Sequence, residues 1–319
     1  MNPEAKTQLI SPRTAWNKAR LNELLSKHNI RSQWPLVTDQ LPSVVIKGLE
    51  AGSYNPSIIR FNGKLVMVYR FHPEETLVTR LGVAELDENF NVTYKQVLEI
   101  NDDNMSHEDG RLFELQGELW LSYVSSSWPT FPSCSHKYVR LSKPDHWRCD
   151  SPVEHHYKER DSLEKNHLPI PFGDKLYVLY RSQPKQIVYL ADSREERISE
   201  PLKWPYGEIR GGTVPLPYKG NLLRFFHSSL RNEMPPVTWR YYLACVVMEP
   251  EPPFKMLAIS KRPIARGSEI GGDETRKHFK ANVIFPMGAI EHNGGFCVSV
   301  GVNDSACVVL KLQEKDLNL

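Results

Sequence analysis

Residues 58–70, IIRFNGKLVMVYR, carry the pattern that decides the fold class. A short run with two isoleucines is followed by the turn dipeptide Asn62-Gly63 and then by a longer apolar run, which is typical of a β-hairpin. Four later segments share this pattern, namely residues 112–124, 168–181, 214–227 and 287–301. The turn glycines of the five segments, at positions 63, 117, 173, 220 and 294, are 47 to 74 residues apart. A hairpin that recurs at such a spacing indicates a β-propeller or a stacked array.

Further strand-like runs lie between the hairpins and bring each unit to roughly four strands. They occupy residues 83–86, 138–141, 187–190 and 241–248. The units vary in length and lack a short consensus, which argues against a solenoid. The sequence therefore predicts an all-β fold, a five-bladed β-propeller over residues 50–319. The alternative is a β-sandwich whose hairpins resemble one another by coincidence.

One segment near the N-terminus has the pattern of a short helix instead. Ser11 precedes Pro12, a combination that favours the first turn of a helix. Alanine and leucine residues then recur three and four positions apart, up to a plausible end at Asn29. We therefore expect residues 1–49 to form an N-terminal helical extension that packs on the propeller. A helix of this kind is also a candidate for self-association into a homo-oligomer.

The composition excludes several classes of protein. The 319 residues include 40 Lys and Arg against 38 Asp and Glu, a net charge of +2. A balance this even gives no strong field for nucleic acid or for an acidic membrane surface. No stretch is long and apolar enough for a membrane span, and the N-terminus lacks the pattern of a secretory signal. Five scattered cysteines without a CxxC pair are typical of free thiols. These features predict a cytoplasmic protein.

Unusual polar residues stand at the same place in each repeat. The start of the first strand and the end of the second lie at one end of a hairpin, and the turn lies at the other. The residues at this end include Asn55, Glu108, Asp109, Lys165, Asn166, Arg70, Arg181 and His227, with Asp304 just beyond the fifth hairpin. Any one of them could be a turn former or half of a surface salt bridge. Their recurrence predicts a shared funnel around the propeller axis, suited to a small, polar, anionic ligand.

The blocks that hold these residues resemble a known family. They are Asn55-Pro56-Ser57 with Arg70, Glu108-Asp109-Gly110-Arg111, Glu164-Lys165-Asn166, Arg210-Gly211-Gly212-Thr213 with His227, and residues 283–286 with 301–304. Together they resemble the mannoside phosphorylases of glycoside hydrolase family 130 and the related β-1,2-mannosyltransferases. The likeness runs over residues 50–312. The resemblance implies the five-bladed propeller that the repeat predicts independently.

The resemblance also implies roles for individual residues. Asp109 would be the catalytic general acid, acting through a hydroxyl of the bound mannose. The residues expected to bind the substrate are Asn55, Arg70, Glu108, Arg111 and Asp304. Those expected to bind phosphate are Lys165, Asn166, Arg181, His227 and one of two neighbouring tyrosines, Tyr241 and Tyr242, with Tyr242 selected. Glu108 could orient Asp109 or be a surface residue. No metal and no cofactor are expected beyond inorganic phosphate as co-substrate.

The residue types fit the chemistry of a phosphorylase. An inverting hydrolase needs a general acid and a second carboxylate that activates water. A phosphorylase needs the acid alone, because phosphate is already an anionic nucleophile that cations can bind and orient. Lys165, Arg181 and His227 are expected to supply those cations. The expected substrates are therefore a mannose-containing oligosaccharide and phosphate, or mannose 1-phosphate in the reverse direction.

Three alternatives to a β-mannoside phosphorylase stay open. A β-1,2-mannosyltransferase with a nucleotide-mannose donor would need the same residues. A hydrolase of the same fold would need a second carboxylate and no cationic pocket, and a non-catalytic scaffold would show no convergence of polar groups. Gly110 stands where many family members have proline, which leaves the subfamily and the acceptor undecided. For a phosphorylase, a β-1,2 linkage is the best expectation.

Overall fold

The computed structural model describes residues 41–127, 133–155, 157, 164–193, 195–232, 238–267, 280 and 282–319. The expected helix at residues 11–29 lies outside these ranges, as does most of the expected extension 1–49. Five antiparallel sheets make up the described chain, so the predicted all-β, five-bladed propeller is confirmed. No helix of the described residues is long and apolar enough to cross a bilayer.

Each sheet forms one blade. The first described strand is β1 (Ser43–Val45). The first blade consists of β2 (Tyr54–Phe61), β3 (Lys64–Phe71), β4 (Arg80–Leu86) and β5 (Val92–Val97). The second consists of β6 (Ser106–Leu115), β7 (Glu118–Ser126), β8 (Cys134–Ser142), β9 (Arg148–Cys149) and β10 (Val153–Glu154). The third consists of β11 (Leu168–Phe172), β12 (Lys175–Arg181), β13 (Gln186–Leu190) and β14 (Glu196–Ser199).

The last two blades complete the ring. The fourth consists of β15 (Leu216–Tyr218), β16 (Asn221–Asn232), β17 (Thr238–Met248), β18 (Met256–Ile259) and β19 (Ala265–Arg266). The fifth consists of β20 (Ile284–His292), β21 (Gly295–Val302) and β22 (Ala306–Leu312). Two short 3₁₀ turns, Pro73–Glu75 and Glu314–Leu317, lie outside the sheets. Strand β2 packs against β6 on one side and β20 on the other, which brings the first and fifth blades together.

The fifth blade takes its outer strand from the other end of the chain. β1 pairs with β22, with Ser43 opposite Leu310 and Val45 opposite Val308. Chain segments more than 250 residues apart are thereby hydrogen-bonded in one sheet, which closes the ring. The propeller therefore includes residues before position 50, the predicted start of this domain.

The hydrophobic core is divided among the seams between blades. Five clusters of buried side chains fill the five seams. In β3, Val66 and Val68 pack toward the second blade, whereas Leu65 and Met67 pack toward the fifth. Because successive side chains of a strand point to opposite faces, a middle strand of a blade is buried on both sides. This burial accounts for the continuous apolar run in LVMVY.

Candidate active site

Most of the expected polar residues converge at one place in the propeller. They line a cavity of about 700 Å³, here called the central cavity. Its walls include Tyr54, Asn55, Arg70, His72, Glu108, Asp109, Lys165, Asn166, Arg210, His227, Tyr241, Lys280, Phe285 and Asp304. All five blades, or the segments that lead into them, contribute a residue to this set. The predicted funnel is therefore present.

Several of these residues share an unusual backbone conformation. Asn55, Asp109, Asn166 and Asp304 have φ values of 50°, 51°, 67° and 51°. This left-handed region costs an L-residue roughly 1 kcal/mol or more, and Asn and Asp tolerate it best. The ladder between β2 and β3 skips at Asn55, and the ladder between β6 and β7 skips at Asp109. At these interruptions the side chains of Asn55 and Asp109 do not follow the regular alternation between the two faces of the strand, and both line the central cavity.

Asp109 is held by groups from the first blade. Its Oδ1 accepts a 2.9 Å hydrogen bond from Asn55 Nδ2 and lies 3.3 Å from Arg70 Nη1. Burial raises the pKa of the Asp109 carboxyl. The charges of Arg70, Arg111 and Lys165 lower this pKa by a larger amount, so the net shift is downward. The carboxyl is consequently ionised at neutral pH in the free protein.

Glu108 is a buried part of this network, which removes the alternative of a surface residue. It is 5% exposed. Its Oε2 lies 3.2 Å from Arg70 Nη1 and 2.9 Å from Lys165 Nζ. Burial lowers the pKa of Lys165, but Glu108 and Asp109 raise it by a larger amount. Glu108 thus joins a cation of the first blade to a cation that precedes the third.

Arg111 was expected to bind the substrate, but its side chain lies behind the wall of the central cavity. It is fully buried. Nε donates to the carbonyl of Gly212 at 2.9 Å, and Nη1 donates to the carbonyl of Asp109 at 3.1 Å. Burial lowers its pKa to about 10, so the guanidinium keeps its charge at neutral pH. Arg111 supports the backbone at Asp109 and acts on the site through its charge.

The Gly211-Gly212 pair permits this close arrangement. Gly212 has a φ of 114°, and a Cβ built there would lie 1.9 Å from the carbonyl oxygen of Phe225. A side chain at this position would collide with the backbone of β16, so glycine is required. Arg210, just before the pair, is bridged to the backbone of His227 and ends up in the central cavity.

The residues expected to bind phosphate divide between two cavities. Lys165, Asn166 and His227 line the central cavity. Arg181 instead lines an adjoining cavity of about 330 Å³, here called the side cavity. Its walls also include Lys165, Asn166, Ser182, Gln183, Glu208, Arg210 and Gly211. Lys165, Asn166 and Arg210 therefore lie between the two cavities and could contact a ligand in either.

His227 enters the site as a neutral imidazole, although we expected a cation. Burial, with the nearby charges of Arg111 and Arg210, lowers its pKa to about 3. Its ring packs on Phe285 and stacks on Tyr241, with centroids 4.1 Å and 5.7 Å away. A neutral imidazole can still donate one hydrogen bond and accept another.

Of the two neighbouring tyrosines in β17, the structure brings Tyr241 to the site, whereas the sequence prediction selected Tyr242. Tyr241 lines the central cavity beside His227. Tyr242 points away and packs on Tyr206 with centroids 5.6 Å apart. The two residues are consecutive in β17, and consecutive side chains of a strand point to opposite faces.

Several residues of the cavity wall were given no role by the sequence prediction, among them Tyr54, His72, Arg210 and Lys280. Tyr54 and His72 are joined by a 2.9 Å hydrogen bond between the hydroxyl and Nε2. Lys280 lies 2.7 Å from Asp304, and Arg210 lies 2.7 Å from Glu208. Tyr54 adjoins the first of the recognised blocks and Arg210 belongs to the fourth, so their position in the repeat could have revealed them. Nothing in the local sequence distinguishes Lys280.

Comparison with known proteins gives one family match and a group of fold matches. The family model for glycoside hydrolase family 130, described as beta-1,4-mannooligosaccharide phosphorylase, matches residues 47–319. No curated protein sequence matches the chain.

Solved structures match the fold at low sequence identity. A β-1,2-mannobiose phosphorylase from Listeria innocua, in complex with β-1,2-mannobiose, gives a TM-score of 0.62 at 14% identity and covers 85% of this chain and 94% of that one. A mannose phosphorylase from Leishmania mexicana, in complex with phosphate, gives 0.61 at 14% identity, with 93% and 94% covered. A GDP-Man-dependent mannosyltransferase from the same organism gives 0.60 at 13% identity, with 92% and 94% covered.

Proposed function

Because the chain belongs to glycoside hydrolase family 130, we propose that it is an inverting phosphorylase of β-mannosides. It would convert a β-mannoside and phosphate into α-mannose 1-phosphate and a shortened acceptor, and would run in both directions. One observation carries the proposal. A buried carboxylate, Asp109, shares the central cavity with Lys165 and Arg210, the cations that a phosphate nucleophile requires.

The central cavity supports a division of labour around the mannosyl unit. Asn55, Arg70 and Asp304 would bind its hydroxyl groups, since amide, guanidinium and carboxylate together offer both donors and acceptors. Arg70 and Asn55 also contact Asp109. Arg70 and Asn55 would therefore hold the sugar in a fixed position relative to the carboxyl group of Asp109.

Phosphate would bind where the two cavities meet. Lys165, Asn166 and Arg210 border both cavities, and Arg181 lines the side cavity alone. An oxygen of phosphate would attack the anomeric carbon while the bond from that carbon to the acceptor oxygen breaks. Cationic side chains bind and orient phosphate directly, so we propose that the reaction needs no metal or organic cofactor.

Asp109 would supply the proton that the leaving oxygen takes up. In the free protein its pKa is lowered by Arg70, Arg111 and Lys165 despite burial. A bound phosphate dianion would offset these positive charges and would raise the pKa of Asp109. The acid would thus become protonated in the complex, where the proton is used.

The linkage and the donor are the finer parts of the proposal. We favour a β-1,2 linkage, which the bound disaccharide of the Listeria innocua enzyme supports, although the family description names β-1,4-linked substrates. A nucleotide-mannose donor is the competing reading, as in one of the Leishmania mexicana proteins. We place the reaction in the cytoplasm, because a charged sugar phosphate made there is retained by the cell.

One set of assays tests the function. The protein is incubated with β-1,2-mannobiose or β-1,4-mannobiose, each with and without phosphate, and α-mannose 1-phosphate is measured. Parallel reactions contain mannose with α-mannose 1-phosphate or with GDP-mannose. Phosphate-dependent formation of mannose 1-phosphate supports the proposal. Cleavage without phosphate would indicate a hydrolase, and growth of the oligosaccharide from GDP-mannose alone would indicate a transferase.

A further inference from the structure

Arg224 of β16 carries a buried charge without a counter-ion. Its side chain is 0% exposed. Both Nη atoms lie 3.2 Å from Ser182 Oγ, and Nη1 lies 3.5 Å from the carbonyl oxygen of Gly211. Among the residues that the structure describes, no carboxylate pairs with this guanidinium, and its Nε has no hydrogen-bond partner.

Such an arrangement is unfavourable for the fold by itself. A charge without a partner inside a protein loses its hydration. Replacement of buried charged groups by apolar residues of similar volume therefore often stabilises the protein. Arg224 stands beside Phe225 and Phe226, both fully buried, so an apolar residue would suit this part of β16. Burial lowers the pKa of Arg224 to about 9, and the side chain therefore stays charged at neutral pH.

The position of the charge points to a ligand. Ser182 and Gly211, which contact the Arg224 guanidinium, both line the side cavity. Lys165, Arg181 and Arg210 line the same cavity, together with the carboxylates of Glu164 and Glu208, of which Glu208 pairs with Arg210. Arg224 therefore lies directly behind the wall of a cavity that is lined by three cations and two carboxylates. An anion bound there would place a negative charge near Arg224, with which no carboxylate of the described residues pairs.

We infer that Arg224 is a positioning residue for the anion of the reaction. Its buried charge attracts a phosphate group into the side cavity, and its contacts with Ser182 and Gly211 fix the wall against which that group rests. The identification of the anion as phosphate rests on the proposed function. Arg224 itself does not touch the ligand, because its hydrogen bonds end on the residues that form the wall.

The test compares phosphate binding and turnover in four proteins. Arg224→Met removes the charge at similar volume, and Arg224→Lys keeps it. Arg60→Met is the matched control, because Arg60 lies on the surface near the hairpin turn and pairs with Glu88. The dissociation constant of inorganic phosphate is measured by calorimetry, and KM for phosphate and kcat are measured with β-1,2-mannobiose.

We expect Arg224→Met to weaken phosphate binding about tenfold or more, because one charge is lost near a dianion in a low-dielectric site. KM for phosphate should rise while kcat at saturating phosphate stays within about twofold. Arg224→Lys should restore most of the affinity. The melting temperature of Arg224→Met should not fall, since the unpaired charge is removed; a residue with a purely structural role would show the reverse.

Two outcomes separate this inference from the proposed function. If the wild type binds phosphate and Arg224→Met binds it equally well, the inference is overturned and the proposed function is unaffected. If the wild type binds phosphate through Arg224 but forms no mannose 1-phosphate, the inference stands and the phosphorylase assignment fails. A wild type that binds no phosphate would overturn both.

Discussion

The Oδ1 atom of Asp109 accepts a 2.9 Å hydrogen bond from Nδ2 of Asn55, a residue 54 positions earlier and in the neighbouring blade. Both residues have left-handed backbone conformations at a skip in their strand ladders. The same local irregularity thus occurs at equivalent places in two blades, and the propeller ring brings the two together. The carboxylate that we propose as the general acid is therefore held by a residue at the equivalent position of the neighbouring blade.

Replacement of Asp109 by asparagine should abolish proton transfer while the fold is kept. We expect phosphorolysis of β-mannobiose to fall on the order of a thousandfold, the usual contribution of a general acid. Initial rates at saturating phosphate are the measurement. Asp150→Asn serves as control, because Asp150 is exposed and pairs with Arg140. A variant at Asp109 that retains more than about a tenth of the rate would contradict the assignment.

Removal of the charge of Glu108 should shift the pH dependence. Glu108→Gln removes a negative charge adjacent to Asp109, which makes ionisation of Asp109 easier and lowers its pKa further. The activity lost on raising the pH should therefore be lost at lower pH than in the wild type. Phosphate should also bind more tightly, because Lys165 loses the carboxylate at 2.9 Å that competes for it.

The pH profile of kcat/KM and the phosphate affinity of Glu108→Gln are compared with those of Glu118→Gln, a variant on the surface. An unchanged profile together with unchanged affinity would show that Glu108 is not coupled to the site.

The two neighbouring tyrosines provide a matched pair of variants. Tyr241 lines the central cavity, whereas Tyr242 packs on Tyr206 on the other face of the strand. We expect Tyr241→Phe to lower kcat/KM about tenfold through loss of a hydrogen bond to a charged or polar ligand. The kcat/KM of Tyr242→Phe should stay within about twofold of the wild-type value. Equal losses of kcat/KM in both variants would refute the placement of Tyr241 in the site.

Buried neutral histidines should make the protein sensitive to acid. Burial lowers the pKa of His167 to about 3, with the charge of Arg111 as a further cause. The unfolded chain takes up a proton near pH 6.5 and the folded chain does not, so stability is complete above that pH and falls as the pH drops toward 3. At pH 5, His167 should account for a loss on the order of 2 kcal/mol.

Urea unfolding at pH 7 and pH 5 measures this loss. His167→Phe should lose about 2 kcal/mol less between the two pH values than the wild type does. The control is His146→Phe, because His146 is an exposed residue that pairs with Asp145. If the wild type and His167→Phe lose the same stability, His167 is not a neutral buried group in the folded state.

Local sequence patterns predicted the blades and many of the polar residues of the cavity. A hairpin depends on its own turn and on the alternation of a few residues, so Asn62-Gly63 and its counterparts reveal the repeat without knowledge of the rest of the chain. Asn and Asp are also the residues that tolerate a left-handed backbone. Position within the repeat therefore located Asn55, Asp109 and Asp304 at the shared end, and the structure places all three in the central cavity.

Other features depend on residues that are distant in sequence, and only the tertiary structure decided them. The neutral state of His227 results from burial among side chains of other blades. The phase of β17 relative to the axis decides between Tyr241 and Tyr242, and that phase is set by packing in the seam between blades. The uncompensated charge of Arg224 is visible only once its surroundings are known. The sequence shows which residues carry a charge, but not how deeply they are buried or which groups they contact. The closed ring of blades decides both, because each site residue faces groups from several blades.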